Sequence, residues 1–238
     1  MKKISLLLFC LLFLFKTQAQ QVPNTLNATL DGYKYPYEVK YFEADMDGRK
    51  YKMAYMDVMP AKQDRNQQAV LLLHGKNFLG AYWTQTIKFL ANNGFRVIVP
   101  DQIGFGKSER PEVYYTFHEL AQNTQQLLKQ LGVQQVSVVG HSMGGMLATR
   151  FALMYPKLTS KLVLENPIGL EDYRLFVPYK SVEELYQSEL KQTEEAIRKY
   201  HQTYYTSWKP AYSEWVQVPA AQTSHPDYPQ VAKASALT

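Results

Sequence analysis

Four short apolar runs do most to limit what this chain can become. Residues 69–73, 95–99, 136–139 and 161–164 carry almost nothing but Val, Leu, Ile, Phe and Ala, with helix-like stretches between them. Unbroken apolar runs of this length suit strands covered on both faces. Residues 83–93 have apolar side chains at 83, 87, 90 and 91 and stop at Gly94; 117–131 stop at Gly132; 144–155 stop at Pro156. Strand–helix–strand repetition with short links makes right-handed crossovers and a parallel sheet with helices on both faces. Ahead of it, 37–42 and 51–59 alternate and carry Tyr, Val and Met, as a half-buried hairpin would. The expected class is α/β, with a mostly parallel sheet.

Between the third run and its helix stands Gly140-His141-Ser142-Met143-Gly144-Gly145. Random placement of this chain's glycines and serines would produce about 0.03 copies of G-x-S-x-G, and here the match also follows a buried strand and opens a helix. A sharp strand-to-helix turn lifts a serine clear of the sheet, and the backbone two residues before and after it passes too closely for a Cβ. The helix N-terminus aims free N–H groups and a positive dipole end at the same place. Ser142 is the candidate nucleophile.

His74-Gly75-Lys76-Asn77-Phe78 follows the first run. In a strand–turn–helix layout of this kind, the loop there supplies one backbone N–H of an oxyanion hole, and the residue after the nucleophile, Met143, supplies the other. Lys76 is the leading donor, through its backbone, and Asn77 the second choice. His74 ends a buried strand, where imidazole ordinarily orders a loop. His141 sits inside the turn and is expected to pack or cap, His118 to lie on the surface, and Asp101 to cap the loop it opens.

The HG loop, the D-x-x-G-x-G-x-S loop beginning at Asp101 and the G-H-S-M-G-G turn occur in the order and spacing of the α/β-hydrolase family, which the chain resembles from about residue 38 to 238. The stretches at 74–78 and 165–173 are similar to an exported branch of it. The resemblance implies a serine nucleophile, a histidine base, a carboxylate that orients the base, and a helical cap. It implies an ester or amide carbonyl in a small molecule as substrate, attacked by Ser142 and transferred to water. Beyond Leu164 the pattern breaks off: no further buried run leads to a G-x-x-D, and no late G-H follows. His201 falls in a Tyr-rich, helix-like segment and His225 in a Pro-rich one. The chain therefore reads as an α/β-hydrolase fold with its C-terminal strands missing, inactive for want of acid and base. Glu165, at the end of the fourth run, occupies the place where some members, haloalkane dehalogenases among them, carry the acid. The alternative reading is an exported binding protein that kept the turn and lost the chemistry.

Residues 1–19 read as a secretory leader: Lys2 and Lys3, an apolar run over 4–15 broken only by Ser5, then Thr17 and Ala19 as small residues before cleavage. Twelve residues are too few to span a bilayer. Cleavage removes Cys10, the one cysteine, and three of the basic residues behind the formal charge of +5. What remains is nearly balanced and evenly spread, which argues against nucleic acid. Export, to the periplasm or beyond, without integral membrane association is the expectation. No metal-ligand cluster appears, and Gly104 and Gly106 lack the third glycine of a dinucleotide site, so no cofactor is expected. Residues 20–170 form the core, and 171–238 an incomplete cap. There Ser181-Val182-Glu183-Glu184 opens a helix with Leu185, Tyr186, Leu190 and Ile197 on its apolar positions.

Overall fold

The computed structural model describes residues 22–61, 68–172 and 175–238; the leader, Cys10 and Tyr173 lie outside them. Six strands form one sheet: β1 (Val39–Met46), β2 (Arg49–Val58), β3 (Ala69–Leu73), β4 (Arg96–Pro100), β5 (Val136–His141) and β6 (Thr159–Glu165), in the order β1-β2-β4-β3-β5-β6. β4, β3, β5 and β6 run parallel; the β1–β2 hairpin is antiparallel and joins the sheet through β4.

The central strand β3 shows why the run at 69–73 has no polar position. Ala69, Leu71 and Leu73 enter one core with Ile98, Val138, Leu147 and Phe151. Val70 and Leu72 point the other way, into a second core with Trp83, Ile87, Val97 and Val99. Period-2 alternation thus sends successive residues into two apolar layers. Helices α2 (Phe117–Gln130) and α3 (Met143–Met154) cover the first face and α1 (Thr84–Asn92) the second. Thr116 caps α2 by accepting a hydrogen bond from the Glu119 N–H.

β6 departs from expectation. It pairs with β5 on one side, and no described strand lies on its other side. Leu162 and Val163 are 40% and 49% exposed. Its sequence suits burial on both faces, but among the described residues only α3 packs on it, with Leu164 against the first core, and Leu162 and Val163 stay open. Residues 182–197 also differ from the single helix expected. Two helices form, α4 (Val182–Glu189) and α5 (Glu194–Gln202), because the Thr193 side chain caps a new start by accepting from the Ala196 N–H. The Ser181–Glu184 capping box opens α4 as expected. The Pro-rich stretch that follows is helical: α6 (Glu214–Thr223) contains Pro219, and α7 (Tyr228–Ala236) has a proline in its first turn. α4 packs on α7 and α5 on α6, forming a cap.

A further element escapes the sequence pattern. Residues 22–35 run beside the cap as a strap. Leu26, Leu30 and Tyr33 are buried against Leu79 and Ala81 of the core and Val218 and Ala221 of α6. The Leu26 N–H donates to the Ala221 carbonyl at 3.0 Å, and Gln222 Nε2 donates to the Asn27 carbonyl at 3.1 Å.

At the opposite end of the sheet, Arg96 forks onto Asp57, with Nε and Nη2 each 2.8 Å from a carboxylate oxygen, and its Nη1 donates to the Leu131 carbonyl at 3.1 Å. This pair ties β2, β4 and the end of α2 together, largely away from solvent. Asp57→Ala strands the guanidinium and is expected to cost about 2 kcal/mol, read as a lower urea midpoint at unchanged slope.

Candidate active site

The site is built where β5 turns into α3. Ser142 sits at φ 53°, ψ −119°, one of four non-glycine residues at positive φ among those described. A serine before a helix normally folds its oxygen onto the first-turn N–H groups. At this φ it does not, and Ser142 Oγ has no hydrogen-bond partner among the described residues. The backbone is held from both sides: the Ser142 N–H donates to the Glu165 carbonyl at 3.0 Å, and the Ser142 carbonyl accepts from Gly145 and Ile168 at 2.9 and 3.2 Å.

The glycines are sterically required. A Cβ on Gly140 would stand 2.1 Å from the Gly144 carbonyl oxygen, and one on Gly144 would stand 2.2 Å from the Leu73 carbonyl oxygen. The second contact brings the end of β3, and the loop after it, against the turn. A Cβ on Gly75 would lie 3.2 Å from both Ser142 Cβ and His141 Nδ1, so the H-G loop passes directly beside the serine. The backbone N–H groups of Lys76, Asn77 and Met143 donate to no acceptor among the described residues. The structure thus brings Ser142, Met143 and the 75–77 loop together, and the serine is half-buried.

All five histidines are described, and none bonds Ser142 Oγ. His74 is fully buried, with Nδ1 2.9 Å from the Gly75 carbonyl and Nε2 accepting from the Gln102 N–H at 3.1 Å. Both nitrogens serve backbone, which fixes the neutral Nδ1–H tautomer. His118 is exposed on α2. His141 packs beside Phe78 and Tyr82, its Nδ1 buried without a partner. His201, on α5, places Nδ1 3.0 Å from the Ile197 carbonyl and stacks edge-on against Phe78. His225 accepts the Asp227 N–H at 3.1 Å. Burial pushes His74, His141 and His201 below the ordinary imidazole range, partly offset by Asp101, Glu165 and the Ile197 carbonyl respectively.

Glu165 stands opposite His141 in the β5–β6 register. Its carboxylate is exposed and makes no hydrogen bond or ion pair among the described residues; its backbone carbonyl is what holds Ser142. Asp101 is 1% exposed and accepts from the Gly80 N–H, the Lys107 N–H and the Tyr35 hydroxyl at 2.6, 2.8 and 2.5 Å. It organises the loop after β4. The Tyr35 contribution was invisible in the sequence, since nothing in the spacing joins residues 66 apart. Among the described residues no group of three His, Cys, Asp or Glu could hold a metal ion, and no helix is long and apolar enough to cross a membrane.

Gly140→Ala forces its methyl into the Gly144 carbonyl and is expected to cost at least about 3 kcal/mol. Ser142→Gly removes the positive-φ strain and is expected to add about 1 kcal/mol; both are read from urea unfolding. The three depressed histidines also set an acid limb. Below about pH 6.5 the unfolded chain takes up protons that the folded one refuses, so stability is full above that pH and falls beneath it. The Tm should be lower at pH 5.5 than at pH 7.5; an unchanged Tm would contradict the burial of these rings.

The sequence pattern of a family described as alpha/beta hydrolase fold matches residues 68–225. A crystal structure of a "probable hydrolytic enzyme" from Pseudomonas aeruginosa PAO1 is 46% identical, with a TM-score of 0.87 over 92% of this chain and 70% of that one. Epoxide hydrolase 2 of Siraitia grosvenorii is 41% identical over 97 residues, 40% of this chain and 31% of that protein. A 2-hydroxy-6-oxo-6-(2'-aminophenyl)hexa-2,4-dienoic acid hydrolase of Metapseudomonas resinovorans is 34% identical over 47% of this chain and 41% of its own length. These curated relatives are thus matched over well under half their lengths.

Proposed function

The chain belongs to the α/β-hydrolase family, and from that premise we propose that it carries the nucleophile and oxyanion hole of a serine hydrolase acting on a small-molecule ester or amide. One observation supports this above the rest: Ser142 is held at positive φ with its hydroxyl uncommitted, beside Gly75. In this reading Ser142 Oγ attacks the carbonyl carbon, the hydroxyl proton leaves with the departing alcohol or amine, and water then releases the acid from the acyl-serine. The N–H groups of Met143 and Lys76, with Asn77 the second choice to Lys76, receive the oxyanion. Each such donor contributes about 3–4 kcal/mol to the transition state. The dipole of α3 adds in the same direction.

The base is the missing part. With no imidazole bonded to Ser142 among the described residues, the hydroxyl keeps its ordinary weak nucleophilicity. In this reading Glu165, at the end of β6 with its carboxylate exposed, is the acid that orients a base brought to that edge. The leader at 1–19 exports the chain in this reading, and no acid–base pair reaches Ser142 among the described residues.

Loss of triad members typically lowers turnover by about 10⁴–10⁶. The purified chain should therefore hydrolyse p-nitrophenyl acetate no faster than Ser142→Ala; turnover well above that control would contradict the inactive reading. Added imidazole supplies an external base and should acetylate Ser142, seen as a modified peptide by mass spectrometry. Acetyl groups found elsewhere with none on 142 would sink the nucleophile assignment.

A further inference from the structure

Between cap and core lies a cavity of about 420 Å³, a volume suited to a small molecule. Its core side is formed by the loop after β3 and the glycine loop after β4, and its roof by residues of α4–α7. Ser142 is not in its wall. Lys76, the residue after the glycine that passes beside Ser142, is.

The charged groups lining this space are Lys76, Arg110 and Glu189. Arg110 is only 6% exposed, yet among the described residues no carboxylate bonds it. Its Nη1 donates to the Gly106 and Ser108 carbonyls at 3.2 and 3.4 Å, and its Nε is buried without a partner among the described residues. Asp101, whose field it feels most, already accepts from the Gly80 and Lys107 N–H groups and from Tyr35. Burial depresses the Arg110 guanidinium to about 10 and also lowers the Lys76 ammonium. Lys76 Nζ donates once, to the Ser235 carbonyl at 2.8 Å, leaving two N–H groups free. Glu189 acts on it through space without a direct ion pair among the described residues, one carboxylate oxygen accepting from Ser235 Oγ at 3.0 Å. His201 lines the same cavity, with Nδ1 on the Ile197 carbonyl. Buried cations are ordinarily paired, and this lining carries one more cation than anion.

We infer that the cavity is a carboxylate-binding site, in which Arg110 and Lys76 receive the acid group of a small aliphatic ligand whose chain lies along Leu79 and Val218. The single excess charge favours a monoanion over a phosphate dianion, and the planar guanidinium matches a carboxylate. Glu189 opposes the ligand and keeps the empty site near balance. That the acid group belongs to the molecule attacked by Ser142 rests on the preceding reading; the binding itself does not.

Calorimetric titration of the whole chain in the Ser142→Ala background, where no acyl transfer is open, tests the site with monomethyl adipate and dimethyl adipate. The half-acid should bind at least about ten-fold more tightly than the diester. Lys76→Met should weaken it by about ten-fold at unchanged circular dichroism, and Glu189→Gln should tighten it several-fold. Equal affinity for half-acid and diester, or no change in either variant, overturns the inference. So does inorganic phosphate displacing the half-acid at equal concentration. Failure here leaves acetylation of Ser142 untouched, and absence of acetylation leaves these titrations untouched, so the two readings fall separately.

Discussion

The tightest constraint in the molecule is the passage of Gly140 past the Gly144 carbonyl, and of Gly144 past the carbonyl of Leu73. Two close approaches, with no room for a single side-chain carbon, fasten the ends of β3 and β5 to the first turn of α3. Everything at this end of the sheet takes its position from them. The loop after β3 must run beside Ser142, because β3 ends against the turn. The serine must stand at positive φ, because the chain reverses within one residue. Its oxygen is then unavailable for capping, and three backbone N–H groups nearby are left without acceptors among the described residues. The geometry of this turn is thus assembled from backbone and steric exclusion.

The loop after β4 shows a different economy. Asp101 gathers two N–H groups and the Tyr35 hydroxyl, and His74 takes the next N–H along, that of Gln102. One buried carboxylate and one neutral ring thereby fix two neighbouring loops. Arg110, drawn into the same region, bonds only carbonyls. That imbalance separates the cavity side of the loop from its core side: the core side is saturated, and the cavity side retains donors.

Much of this was legible in the chain, for reasons that differ from place to place. The run at 69–73 announced a doubly buried strand because both cores are local consequences of alternation. The G-x-S-x-G turn was legible because steric exclusion writes itself as glycine. The apolar run at 161–164 has the same composition as the others, but its exposure depends on what lies beside β6, which no local pattern carries. The break between α4 and α5 hinged on one threonine hydroxyl competing as a cap, a signal easily overrun by the apolar spacing across 182–197. The strap at 22–35 and the Tyr35–Asp101 bond join residues far apart in sequence and leave no periodicity. Neither was the charged lining of the cavity readable, since Lys76, Arg110 and Glu189 meet only once the cap is seated.

The strap has a consequence for how the molecule is made. Its contacts with α6 join residues 195 apart, so a nascent chain emerging N-terminus first must leave the α6-facing side of Leu26 and Leu30 unpaired until α6 has been made. Closing so long a loop is entropically costly and comes late. Closure of the strap therefore follows the making of α6, and the early segment behaves as a latch that waits for its own distant partner.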